Sequence, residues 1–81
     1  MRVKVEFYDI LRELAARHEW CPDLSPEATV AELYALAKRT FPALSAYPQQ
    51  PVFTSGLDYV EEAHALREGE TISVLPAPPS L

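Results

Sequence analysis

The sequence predicts an α+β roll, one mixed sheet with a single long helix packed on one of its faces. Three observations carry that reading. Apolar and polar residues alternate with period two near both ends of the chain, in Val3-Lys4-Val5-Glu6-Phe7-Tyr8 and in Thr71-Ile72-Ser73-Val74-Leu75. Between them, only the stretch from Val30 to Phe41 carries an apolar stripe long enough for an extended helix. The chain has 81 residues, 48% of them hydrophobic and 23% charged, which is one ordinary soluble domain and too little for two.

Taken in order, the opening strand puts Val3, Val5 and Phe7 on a buried face and Lys4, Glu6 and Tyr8 on the other. Asp9 is placed to cap a short helix through Arg17, with Leu11, Leu14 and Ala15 inward and Glu13 paired with Arg17. Glu19 to Leu24 carries Trp20 and Leu24, but Pro22 lacks a ladder donor, so a strand here is short and lies at a sheet edge. Thr29-Val30-Ala31-Glu32 matches a capping box, with hydroxyl and carboxylate each aimed at the other residue's amide. Val30, Leu33, Ala37 and Phe41, with Leu36 beside them, form the stripe of the long helix, and Pro42 stops it at Phe41. Pro42 to Pro51 reads as a connector whose Leu44 and Tyr47 pack back on the core. Val52-Phe53-Thr54 and Asp58-Tyr59-Val60 flank Ser55-Gly56-Leu57, a hairpin signal with glycine free to take positive φ. Residues 61–69 form a second connector, anchored by Leu66 and turning at Glu68-Gly69. The first and last strands, having the cleanest alternation, are placed adjacent and central, as parallel neighbours in a ubiquitin-like (β-grasp) roll. Residues 1–75 are then the domain, and residues 76–81, Pro76-Ala77-Pro78-Pro79-Ser80-Leu81, a flexible proline-rich tail that cannot join the sheet interior.

Composition excludes several functions. There are two glycines, Gly56 and Gly69, against a usual ~7%, and eight prolines against ~5%. Neither a dinucleotide-binding glycine motif nor a phosphate loop can be written with them. The uncharged stretch from Phe41 to Leu57 is interrupted by prolines, glutamines and a glycine, so it is no membrane span. The N-terminus has no apolar segment of the secretory kind. A lone Cys21 points to a reducing compartment, most simply the cytoplasm. The formal charge of −5 weighs against nucleic acid and anionic membrane and fits a basic groove on another protein.

No catalytic constellation is legible. Cys21 has only His18 and Glu19 near it in sequence and no third group to orient the imidazole, so a half-buried structural thiol beside Trp20 is the plainer reading. His18 and His64 are far apart, no Cys/His cluster has metal-ligand spacing, and Glu61-Glu62 reads as a solvated loop. The sequence therefore names no metal, no cofactor and no active site of the chain's own. Phe7, Phe41 and Phe53 read as core, whereas Tyr8, Tyr59 and Trp20 are either half-buried or exposed partner anchors. Pro76-Ala77-Pro78-Pro79 also fits the short P-x-x-P pattern, a frequent one.

Three stretches together, VKVEFYDILRELAAR, SPEATVAELYALAKRTFPAL and LREGETISVLP, resemble the MoaD/ThiS family of ubiquitin-like sulfur carriers, more closely MoaD, the small subunit of molybdopterin synthase. The resemblance covers nearly the whole chain. It implies a domain whose C-terminal tail does the chemistry in molybdenum-cofactor biosynthesis. A MoeB/ThiF-like adenylating enzyme activates the terminal carboxylate, sulfur makes it a thiocarboxylate, and the tail enters a MoaE-like large subunit. The chain would then be at most a sulfur-donating subunit of a transferase. Residues Pro76, Ala77, Pro78, Pro79, Ser80 and Leu81 are the partner-binding segment in this reading.

The family's tail ends in Gly-Gly, because only a chain without Cβ atoms threads a narrow tunnel easily. Here Ser80-Leu81 occupies those two positions, so no catalytic residue is matched and Leu81 is reached by position alone. A second function follows from that departure: a non-conjugating ubiquitin-like binding or regulatory module that has lost the sulfur chemistry. A third reading makes these residues the N-terminal part of a longer chain, with the prolines beginning a linker.

Overall fold

Eight elements account for the chain in a computed structural model, which describes residues 1–78. They run β1 (Lys4–Phe7), α1 (Ile10–Ala15), β2 (Glu19–Trp20), α2 (Val30–Thr40), a 3₁₀ helix (Pro42–Ala46), β3 (Val52–Ser55), β4 (Asp58–Val60) and β5 (Thr71–Leu75). The five strands form one mixed sheet in the order β2-β1-β5-β3-β4. β1 and β5 are parallel, pairing Lys4 with Thr71 through Phe7 with Val74, and the other three pairings are antiparallel. The ubiquitin-like roll expected from the alternating end strands is therefore present.

One face of the sheet supplies the core. Val3, Val5, Phe7, Phe53, Ile72 and Val74 meet Val30, Leu33, Tyr34 and Ala37 of α2, with Leu11, Leu44 and Leu66 closing the sides. Each large side chain buried in this way stabilises the fold by roughly 1.5–3 kcal/mol. Tyr34 is the inward residue that the apolar stripe left out; it lies on the same helix face as Val30, and its ring meets Phe53 edge-on at 5.5 Å. Phe41 is half-buried as the C-cap of α2. With Phe7 and Trp20 it forms an aromatic cluster at 5.2 to 6.4 Å between centroids, which seals the core at the β2 edge. Trp20 is thus packed against the core rather than offered to a partner.

Local capping differs from expectation in instructive ways. The Thr29 hydroxyl accepts from the Glu32 amide at 3.4 Å, but the Glu32 carboxylate meets that hydroxyl instead of the Thr29 amide. The next orphan amides of α2 are satisfied from afar: Val30 donates to the His64 carbonyl at 3.0 Å and Ala31 to that of Glu62 at 2.9 Å. The connector between β4 and β5 is thereby a cap for the long helix.

At α1, Asp9 makes no side-chain cap and adopts φ 53°, while Ala16 takes the left-handed conformation at φ 58° and ends the helix at Ala15. Arg17 is therefore off the helix, which is why it does not pair with Glu13; its guanidinium lies 4.7 Å above the Phe41 ring. Pro42 opens a 3₁₀ turn that buries Leu44 completely. The hairpin is tighter than the sequence suggested, since Ser55 pairs with Asp58 and leaves only Gly56-Leu57 as the loop. Gly56, at φ 63°, is at the first central position, where glycine favours a type II′ turn.

A polar hub ties this second connector to the sheet. Glu70 Oε2 accepts from the Ser55 hydroxyl at 2.5 Å and from His64 Nε2 at 2.8 Å, and its Oε1 accepts from the Arg67 amide at 2.8 Å. Burial acts to raise the Glu70 carboxyl, but the three hydrogen bonds outweigh it and hold the group below the ordinary carboxylate range. A depressed carboxyl contributes stability that is complete above its unfolded value of about 4.3 and is lost as pH falls through the lower folded value. Melting curves between about pH 3 and 6 should show this loss in the wild-type chain and a flatter acid limb in Glu70→Gln.

Candidate functional site

The site is the uncovered face of the sheet where β5 hands over to the tail. Alternation along β3, β4 and β5 turns Val52, Thr54, Tyr59, Ser73 and Leu75 away from α2, and the register brings Thr54 between Tyr59 and Ser73, and Val52 against Leu75. Pro76 cannot extend the ladder, so the chain leaves the sheet at once. Its rings do not leave the surface: Pro76 and Pro78 join Val52, Thr54, Tyr59 and Leu75 around a shallow, mainly apolar depression of about 300 Å³.

Tyr59 keeps 81% of its surface exposed and Leu57, at the hairpin tip, all of it. An aromatic ring left out on an apolar floor is the arrangement of a partner anchor. Across the sheet the same face becomes charged, where Lys4 lies 3.8 Å from Glu6 and 3.6 Å from Glu19. The tail root is also held by the Ala77 amide, which donates to the Tyr47 phenol oxygen at 2.6 Å.

Of the residues singled out in the sequence, Pro76, Ala77 and Pro78 are at this depression, and Pro79, Ser80 and Leu81 lie outside the described residues. Tyr8 is half-buried, with its hydroxyl donating to Glu6 at 3.1 Å and its ring 5.2 Å from that of His18. Cys21 is exposed, not half-buried, because its neighbour Pro22 takes the inward position. His18 Nδ1 donates to the Phe7 carbonyl at 3.0 Å, and His64 is engaged by Glu70, so each imidazole is bound to a different part of the sheet. Ser55, Glu70 and His64 converge, but hydroxyl and imidazole both bond the same carboxylate oxygen, which leaves no base on the hydroxyl. Among the described residues, no three His, Cys, Asp or Glu side chains come together to hold a metal ion, and no helix is long and apolar enough to cross a membrane.

Sequence reasoning missed the clasp by Tyr47. The available signal was chemical: between Pro76 and Pro79, Ala77 has the one backbone N–H.

No family profile and no curated protein sequence matches the chain. Solved structures do. SAMP1 from Haloferax volcanii is 16% identical, with 99% of each chain covered and a TM-score of 0.85. A protein provisionally named molybdopterin converting factor subunit 1, from Pyrococcus furiosus, is 23% identical over 94% of this chain and 97% of its own, with a TM-score of 0.84. The complex of subunits 1 and 2 of molybdopterin-converting factor from Helicobacter pylori contains a chain 17% identical, covered to 99% on both sides, with a TM-score of 0.70. The fold is thus ubiquitin-like, of the MoaD/ThiS kind.

If Tyr59 is displayed and not structural, Tyr59→Ser should change unfolding free energy by less than about 1 kcal/mol. Phe53→Ala, one residue from the same register but 3% exposed, should cost about 3–5 kcal/mol by chemical denaturation.

Proposed function

We propose that the chain is a MoaD-like small subunit of a molybdopterin synthase, a sulfur carrier acting through its C-terminal tail, with residues 76–81 entering a larger, MoaE-like partner. The observation that carries this reading is the continuity of the exposed apolar depression with the tail root: the rings of Pro76 and Pro78 share a floor with Tyr59 and Leu75. A partner that covers the floor also covers Pro76 and Pro78, the root of the tail. The likeness to one chain of a complex of molybdopterin-converting factor subunits supports a second, larger subunit. The net charge of −5 suits a basic entrance.

In this reading a MoeB/ThiF-like enzyme joins the Leu81 carboxylate to the α-phosphate of ATP, releasing pyrophosphate. A sulfur nucleophile then displaces AMP to leave a thiocarboxylate. The chain's part in these steps is to present the carboxylate. A modifier role, of the kind in the full name of SAMP1, small archaeal modifier protein 1, would use the same carboxyl group. The specific observation favouring the second reading, a binding module without sulfur chemistry, is Ser80-Leu81 where the family has Gly-Gly.

Binding to a MoaE-like large subunit separates the two. Tyr59→Asp or Leu75→Asp should weaken it by at least about tenfold in either case, since each places a charge in the apolar floor. Deleting residues 78–81 should weaken it by a similar factor if the tail is inserted. Affinity left nearly unchanged by the deletion would favour the binding module.

A further inference from the structure

The tail root has a single backbone handle. Across Pro76, Ala77, Pro78 and Pro79 only Ala77 carries an N–H, because proline has none. That donor is bonded to the Tyr47 phenol oxygen at 2.6 Å, in a partly buried contact between residues 30 positions apart. The phenol's own hydrogen points elsewhere, to Gln49 Oε1 at 3.4 Å, so the oxygen is free to accept. Tyr47 is itself fixed. It ends the 3₁₀ helix, its amide donates to the Leu44 carbonyl at 3.1 Å, and Leu44 is fully buried.

We infer that Tyr47 is the positioning residue of the tail: by holding the only backbone N–H of the Pro76–Pro79 stretch, it sets the direction in which the chain leaves the sheet. The inference rests on the reading in which the tail acts, and it names what aims the tail. Proline holds φ near −65°, so a direction imposed at Ala77 is passed on to Pro78 with little freedom to bend. On either side of the bonded Ala77, the rings of Pro76 and Pro78 line the depression with Tyr59 and Leu75. A tail aimed before it meets its partner loses less conformational entropy on capture.

Two substitutions remove the bond from its two ends. Tyr47→Phe deletes the acceptor and keeps the ring; Ala77→Pro deletes the donor and leaves Tyr47 intact. In the wild-type chain the Ala77 amide should exchange with solvent at least about tenfold more slowly than an unprotected amide. In Tyr47→Phe it should exchange at the unprotected rate, with faster ¹⁵N motion at Ala77 and an unchanged amide spectrum for the sheet. ATP–pyrophosphate exchange by a MoaD-type adenylating enzyme gives the second readout. Each variant should raise the KM for the carrier chain by about fivefold at unchanged kcat, the effect of one net hydrogen bond. The double variant should do no more than either single one, because both delete the same contact.

An Ala77 amide that exchanges freely in the wild-type chain overturns the clasp. A protected amide combined with an unchanged KM in Tyr47→Phe overturns its positioning role, as do additive effects in the double variant. If the wild-type chain is not adenylated at all, the tail-carboxylate reading fails, while amide exchange and relaxation still decide whether Tyr47 aims the tail.

Discussion

The parallel pairing of β1 with β5 is the constraint on which the rest of the structure depends. It joins the two ends of the chain at the middle of the sheet and aligns Val5 with Ile72 and Phe7 with Val74, so that both strands present their apolar sides to α2. Forming it closes a loop of nearly the whole chain, a cost that grows only slowly with length. Burial of both strands' inward residues offsets that cost. The ladder continues past the strands, with the Lys4 amide donating to the Glu70 carbonyl at 2.9 Å and the Tyr8 amide to that of Val74 at 3.1 Å. Because β5 is central, the chain emerges in the middle of an open face, beside the only strongly exposed aromatic ring among the described residues.

Much of this was legible from short-range chemistry. Period-two alternation located β1 and β5, Pro22 confined β2 to an edge, Thr29 marked the start of α2 and Pro42 its end, because each of those signals acts within a few residues. What was not legible depends on contacts between distant segments. The His64 and Glu62 carbonyls cap α2 from a connector, Trp20 closes over Phe41, and Arg17 leaves Glu13 for an aromatic face. Tyr34 is an intermediate case, since it lies one helical turn from Val30, yet the apolar stripe left it out. Of the candidate site, the break after β5 at Pro76 was legible in the sequence. The depression that receives Pro76 and Pro78 was not, because it exists only once β3, β4 and β5 are in register.

Glycine scarcity runs through both fold and function. Positive φ is needed at Asp9 and Ala16 as well as at Gly56 and Gly69, so the chain accepts a left-handed residue bearing a side chain at a cost of about 1–2 kcal/mol and keeps glycine for two turns. In the proposed sulfur-carrier reading, Ser80-Leu81 stands where the MoaD/ThiS family has Gly-Gly. A tail bearing side chains is wider than the diglycine form. In that reading, a root held at Ala77 by Tyr47 would limit the directions open to that wider tail.

Intact mass after incubation with a MoaD-type adenylating enzyme, ATP and a sulfur source tests the central claim most directly. A sulfur carrier gains the mass difference between one sulfur and one oxygen, located at Leu81 by fragmentation. An unchanged mass across several such enzymes, each active on its own carrier, contradicts the claim and leaves the chain a binding module built on the same fold.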